Sequence, residues 1–242
     1  MFTREGPTLR ELTQQALSSV ERGYDLLAPK FDHTPFRTPD AVLDATAAAV
    51  RELGPFHSGL DLCCGTGAGM GVLRQVCRTR AVGVDLSAGM LTVARRAQPV
   101  ADGGPRVNWV RGDARALPFG PVFDLAVSFG AFGHFLPREW PGVFARVHAV
   151  LRPGGRFVFP LAAPARPGSS LYWAVAAFDA AMRVRNLLWR PAFVMYYRPF
   201  RLTEVRAELV RAGFSVRLRD LPELGLRSDR SPRCRLVVAT RV

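Results

Sequence analysis

Lysine is nearly missing from this chain, with Lys30 standing alone among 33 basic residues. The rest of the basic charge is arginine. A GC-rich genome writes that skew onto any solvated surface, so the net charge of +13 does not by itself select a nucleic-acid partner. Cysteine is also scarce. Cys63, Cys64, Cys77 and Cys234 form no C-x-x-C pair, and the first two are adjacent, which suits neither a zinc tetrahedron nor an ordinary disulfide. All four read as thiols in a reducing cytoplasm, with no metal site expected. Apolar runs long enough to span a membrane are lacking, and Met1-Phe2-Thr3-Arg4-Glu5-Gly6-Pro7 sets no apolar stretch behind a basic start. Neither a transmembrane segment nor a secretory signal is expected.

What is present is an ordinary globular composition, 48% hydrophobic and 22% charged over 242 residues, enough to bury a full core as one α/β domain with an added lobe. Thr8 to Asp25 carries Leu9, Leu12, Ala16, Leu17 and Val20 at helical spacing and predicts one amphipathic helix. Thr38-Pro39-Asp40 predicts a second, with Thr38 as N-cap, Pro39 at the first helical position and Gly54 as terminator. From Ser58 the pattern changes to short apolar runs separated by helical stretches, as in a parallel sheet with crossovers. Strands are expected at 59–63, 81–85, 107–111, 123–129 and 156–161, with helices starting near Ala68, Ser87 and Pro141, the last stopped by Pro153-Gly154-Gly155. A final helix from Thr203 to Ala212 precedes strands at 214–218 and 236–239, whose short connection predicts an antiparallel pair.

The densest chemistry lies in Gly59-Leu60-Asp61-Leu62-Cys63-Cys64-Gly65-Thr66-Gly67-Ala68-Gly69-Met70-Gly71. Glycines so placed let backbone approach a ligand, and the helix that follows offers free N–H groups and a positive dipole to a carboxylate. Asp85, twenty residues after Gly65, stands where doubly wound folds place an acid that accepts from ribose hydroxyls. Leu86 and Met90 follow it within reach of an adenine face. A nicotinamide dehydrogenase also wants glycines and then an acid, but G-x-G-x-x-G would need glycine where Met70 or Val72 stands.

This loop, Asp85, Gly112-Asp113-Ala114, Phe123-Asp124-Leu125-Ala126-Val127-Ser128 and Leu151-Arg152-Pro153-Gly154-Gly155, in that order, resemble class I S-adenosylmethionine-dependent methyltransferases. The likeness is specific over 58–163. More loosely, from Tyr24-Asp25-Leu26-Leu27-Ala28-Pro29 onward, it looks like the lead of quinone-biosynthesis and related small-molecule methyltransferases. It implies an α/β fold, a doubly wound, mostly parallel seven-stranded sheet with an antiparallel last strand, and S-adenosylmethionine as cofactor with S-adenosylhomocysteine as product. Carried over residue by residue, it implies that Asp113 and the Ala114 backbone meet adenine, that Asp61 and Ser128 face the methionine end, and that Gly65, Thr66 and Gly67 form the loop. The departure is Cys63, where the family has glycine.

Four segments follow: N-terminal helices (1–57), a cofactor core (58–163), an inserted lid (164–200) with a helix from about Leu171 to Arg190, and the final helix and strands (201–242). The lid concentrates aromatics, Tyr172, Trp173, Trp189, Tyr196 and Tyr197 among them, beside Arg183, Arg185, Arg190, Arg198 and Arg201. Such a surface suits either a cap over an apolar or aromatic small-molecule substrate or peripheral contact with an anionic membrane. Asp179, Arg183, Arg185 and Asn186 interrupt its helix too often for a membrane span. Tyr24, His134, Tyr196 and Tyr197 are the expected substrate-lining side chains. His134 is a candidate base, or else a histidine donating to a loop carbonyl. From Arg183 onward fourteen arginines face five acids, which keeps a nucleic-acid methyltransferase open as an alternative, beside a cofactor-binding module without transferase activity.

Overall fold

The computed structural model describes residues 5–98, 103–197 and 200–242, so Arg198 and Met1 to Arg4 lie outside the described residues. Seven strands, β1 (Phe56–Leu62), β2 (Cys77–Asp85), β3 (Arg106–Arg111), β4 (Phe123–Val127), β5 (Leu151–Ala162), β6 (Phe214–Asp220) and β7 (Cys234–Arg241), form one sheet in the order β3-β2-β1-β4-β5-β7-β6. Pairing is parallel from β3 to β5, and β7 runs antiparallel to both of its neighbours. Helices α1 (Leu9–Ala16), α2 (Val20–Leu27), α3 (Asp40–Arg51), α4 (Ala68–Val76), α5 (Ala88–Ala97), α6 (Trp140–Val150), α7 (Ser170–Leu188) and α8 (Leu202–Arg211) complete the α/β fold expected from the sequence.

Strand alternation sorts the core into two layers. Phe157, Phe159, Val237 and Ala239 join Phe144, Val205 and Leu209 on one face, while Val158, Leu236 and Val238 join Ala45, Met70 and Leu73 on the other. Central β1 and β4 are buried almost throughout, whereas edge strand β3 is at most half-buried.

Several boundaries differ from the sequence reading. The helix expected from Thr8 to Asp25 is two, because the Ser19 hydroxyl accepts from the Arg22 N–H at 3.2 Å and starts α2 anew. Pro39 takes the N-cap place assigned to Thr38, its ψ of 142° being extended, so α3 opens at Asp40 and ends before Gly54. Pro153-Gly154-Gly155 does not end α6. The helix stops at Val150, Leu151 pairs at once with Phe123, and the tripeptide is a bulge in β5 with Gly154 at φ +76°. β2 starts at Cys77, four residues before Ala81, since pairing with Phe56 and Ser58 of β1 holds a stretch whose arginines gave no apolar signal. Helix α7, expected from about Leu171 to Arg190, ends at Leu188. Among the described residues no helix is long and apolar enough to cross a membrane, and no cluster of His, Cys, Asp or Glu could hold a metal ion.

Candidate functional site

The chain leaves β1 to build β2 and β3 on one side of the sheet and returns at β4 to build outward on the other, so the loops after β1 and β4 diverge. A crevice opens at such a switch point. Here it is a cavity of about 1350 Å³ whose wall includes Cys63, Gly65, Asp85, Leu86, Met90, Asp113, Ala114 and Ser128 together with Tyr24, His134, Tyr196 and Tyr197. Three sheet edges therefore converge on one space. Asp61, Thr66 and Gly67 are not on that wall.

Asp85 closes β2 and organises the glycine loop. Its Oδ2 accepts the Gly65 N–H at 2.8 Å and its Oδ1 the Ser87 N–H at 2.9 Å, which leaves roughly half of a carboxylate's four lone-pair positions for a ligand. Burial pushes this carboxyl above its ordinary value, and the backbone donors oppose the rise. Gly65 sits at φ +53°, and a Cβ there would meet nothing within 4 Å, so the loop bends around open space. Behind it, Asp61 is buried with no hydrogen-bond partner for Oδ2, and burial, with Asp85 second, pushes its carboxyl well above the usual range. A Cβ on Gly69 would stand 2.6 Å from that oxygen, so glycine is what lets the first turn of α4 press against the acid. Thr66 Oγ1 donates to Asp32 at 2.7 Å and ties the loop to the segment before α3.

On the third edge, Asp113 caps a short 3-10 turn and is gripped by Arg115, whose Nη2 lies 2.7 Å from Oδ2 while Nη1 reaches Glu139 at 2.8 Å. Burial works to raise the Asp113 carboxyl, but the Arg115 hydrogen bonds and charge hold it below its ordinary value. Ser128 is buried, its hydroxyl donating to the Leu62 carbonyl at 2.9 Å and so stitching β4 to β1.

Opposite, the Tyr24 hydroxyl is 2.9 Å from His134 Nε2, and His134 Nδ1 is 2.9 Å from the Val194 carbonyl. A carbonyl only accepts, so Nδ1 carries the proton and Nε2 accepts from Tyr24. Burial lowers the His134 pKa and favours this neutral ring, and burial raises that of Tyr24. Tyr196 donates its N–H to Gly133 O at 2.8 Å, and its hydroxyl accepts from Asn186 at 3.0 Å. The Tyr197 N–H donates to Asp179 at 2.9 Å. The stretch after α7 is thus strapped to the loop after β4.

Several residues escaped the sequence reading. Asp25 accepts from the Ser87 hydroxyl at 2.6 Å and the Gly89 N–H at 2.8 Å, pinning α2 to the positive end of α5, a long-range contact with no local signature. Arg115 and Glu139 were hidden among many exposed arginines and acids. Cys63 adopts φ +55°, a left-handed conformation costing an L-residue about 1–2 kcal/mol, and the glycine of related loops was the available clue. Cys63→Val, β-branched at that φ, is expected to lower stability by about 2 kcal/mol in urea unfolding, and an unchanged midpoint would refute the strain.

The comparisons agree with this geometry. The family described as "Methyltransferase domain" matches residues 60–155, the stretch from β1 into the bulge of β5. An uncharacterized methyltransferase of Synechocystis sp. is 32% identical over 165 residues, covering 68% of this chain and 69% of that protein. The chain belongs to the class I S-adenosylmethionine-dependent methyltransferases. A 2-phytyl-1,4-naphtoquinone methyltransferase of Thermosynechococcus vestitus is 37% identical to this methyltransferase over 107 residues, 43% of this chain and under half, 46%, of that protein. The fold also matches magnesium protoporphyrin IX methyltransferase of Synechocystis with bound S-adenosylhomocysteine, at a TM-score of 0.56 and 20% identity over 83% of this chain and 81% of that one. The cofactor of this methyltransferase is S-adenosylmethionine.

Proposed function

We propose that this chain moves the methyl group of S-adenosylmethionine onto a small apolar or aromatic organic acceptor, with the N-terminal helices and the 164–200 stretch closing the pocket as a lid. The observation that carries this reading is one continuous cavity of about 1350 Å³, larger than the 300–1000 Å³ usual for one small ligand. Its wall offers two kinds of surface: backbone and carboxylates at Gly65, Asp85 and Asp113, and apolar side chains at Phe31, Phe36, Phe132, Leu171, Val175 and Phe200. An adenosyl group suits the first and a carbon-rich acceptor the second, and the naphtoquinone methyltransferase relative supports that division.

The residues fit the cofactor on two counts. Open space beside Gly65 admits a ligand against the loop backbone, and Asp85 keeps about half of its lone-pair positions for a hydroxyl, while Asp61, with its Oδ2 unpartnered, lies behind the wall. On this reading Asp85 accepts from the ribose, Asp113 and Ala114 meet adenine between Leu86 and Met90, and Ser128, Thr66 and Gly67 hold the loop in shape. The bound cofactor supplies a methyl on a sulfonium, a good leaving group, so alignment does most of the work. Where the acceptor arrives protonated, Tyr24 Oη and His134 Nε2 are placed to receive its proton. The acceptor's proton goes to Oη as the phenolic proton passes to Nε2.

The nucleic-acid alternative draws less support. Of the C-terminal arginines, Arg219 pairs with Glu52 at 2.6 Å, Arg235 with Asp220 at 2.9 Å, Arg241 donates to the His148 carbonyl and Arg227 to that of Pro164. Incubation with methyl-labelled S-adenosylmethionine and a panel of phenols, quinols and amines is expected to label an aromatic product. Label entering only RNA or DNA, or nothing at all, would overturn the acceptor class.

A further inference from the structure

Helix α7 is built inside out. Three of its polar side chains turn toward the protein: Asp179 is 4% exposed and receives the Tyr197 N–H, Asn186 bonds both the N–H and carbonyl of Phe193, and Arg185 donates to the Ser18 and Pro191 carbonyls. Val175, Phe178 and Met182 share that inner face, and Leu171, Tyr172 and Val175 help wall the cavity. The spacing of 173, 177, 180, 184, 187 and 188 then lines Trp173, Ala177, Ala180, Val184, Leu187 and Leu188 along the outer face. Trp173 is 63% exposed, Leu187 80% and Leu188 79%. Asp179 and Asn186, which seemed in the sequence to break the helix's apolar character, do not interrupt this stripe.

We propose that the outer face of α7 docks on the surface of an anionic lipid bilayer, with Trp173, Val184, Leu187, Leu188 and Trp189 entering the headgroup boundary. A continuous apolar stripe of this kind on a surface marks an interaction site. Charge selects the occupant. Arg183 and Arg190 flank the stripe, and the chain carries a net +13, which draws it to anionic lipid and opposes a second copy of itself laid face to face. Tryptophans near both ends of the stripe suit a membrane interface, and the arginine stems let their heads reach phosphate while the leucines insert. The same helix bounds the cavity, so a lipophilic acceptor dissolved in the bilayer would meet the pocket across one helix. That last use rests on the proposed acceptor class. Docking does not, and it is measured without turnover.

The test is sedimentation of the full chain with vesicles of phosphatidylcholine alone or mixed with phosphatidylglycerol, across salt. Binding to the mixed vesicles at least tenfold tighter than to the neutral ones is expected, with a blue shift of tryptophan emission that is lost in Trp173→Phe/Trp189→Phe. Leu187→Glu/Leu188→Glu should weaken vesicle binding at least tenfold while leaving S-adenosylmethionine affinity by calorimetry unchanged, which also shows the variant folded. Failure of the wild type to bind mixed vesicles, or full binding by the double variant, would overturn the proposal. So would a concentration-dependent dimer in which both tryptophans lose their exposure.

Discussion

Asp85→Ala is expected to weaken S-adenosylmethionine binding by about 100-fold. A hydrogen bond to a charged acceptor contributes about 1.5–3 kcal/mol, and the upper end of that range, about 2.8 kcal/mol, corresponds to roughly two decades in Kd. The loss has two sources. The ribose would lose its acceptor, and the Gly65 N–H, now 2.8 Å from Oδ2, would lose the bond that fixes the glycine loop beside the cavity. Asp85→Asn separates them, because its amide oxygen still accepts while the charge is gone, and about a tenfold loss is expected. Both variants should stay folded: two backbone donors lose a partner in Asp85→Ala and one in Asp85→Asn, at most about 1–2 kcal/mol against the 5–15 kcal/mol common for a domain, while a partly buried charge is relieved. Calorimetry reads the affinity and urea unfolding the fold. An unchanged Kd in a folded Asp85→Ala would place the ribose elsewhere.

The second large effect is expected at His134. For an acceptor that arrives protonated, His134→Gln should lower kcat by about 100-fold, the lower end of what a positioned base contributes, with KM little changed. Tyr24→Phe, which removes only the hydroxyl 2.9 Å from Nε2, should produce a comparable fall. The pH profile distinguishes proton transfer from mere packing. Burial holds the His134 pKa below its ordinary 6.5, so kcat/KM should rise with pH through an acid limb below that value and flatten above it, and His134→Gln should lack the limb. Stability has the same sign. With the folded pKa depressed, the unfolded chain binds more protons between the folded value and about 6.5, so stability from this ring rises with pH across that window and is complete above it. A His134→Gln enzyme that keeps both kcat and the acid limb would remove the pair from the chemistry and leave it as the clasp between α2 and the segment after α7.

Legibility followed burial. The runs 59–63 and 123–129 announced central strands because both faces of β1 and β4 are covered, and the order of acids after them carried the mostly parallel, doubly wound sheet through a family resemblance, though not its strand order. Where structure depends on a partner distant in sequence, the reading stopped early. Cys77 to Arg80 joins β2 only because β1 lies beside it, and Pro153-Gly154-Gly155, which locally reads as a helix stop, becomes a bulge because Leu151 already pairs with Phe123. The same holds in the cavity. Asp85 and Asp113 could be picked out by position, whereas the Arg115 pair with Glu139 and the Asp25 anchor on α5 are meetings across 24 and 64 residues that no spacing rule foretells.

By itself the sequence determined the sheet, the glycine loop and the order of the acids beyond it, since alternation, chain direction and the absence of a Cβ act on neighbouring residues. Tertiary structure alone decided the rest. It set Tyr24 against His134, turned Asp179 and Asn186 inward and left the leucines of α7 outside, because which face of a helix is buried depends on what stands opposite it, and the chain meets that partner only after it has folded.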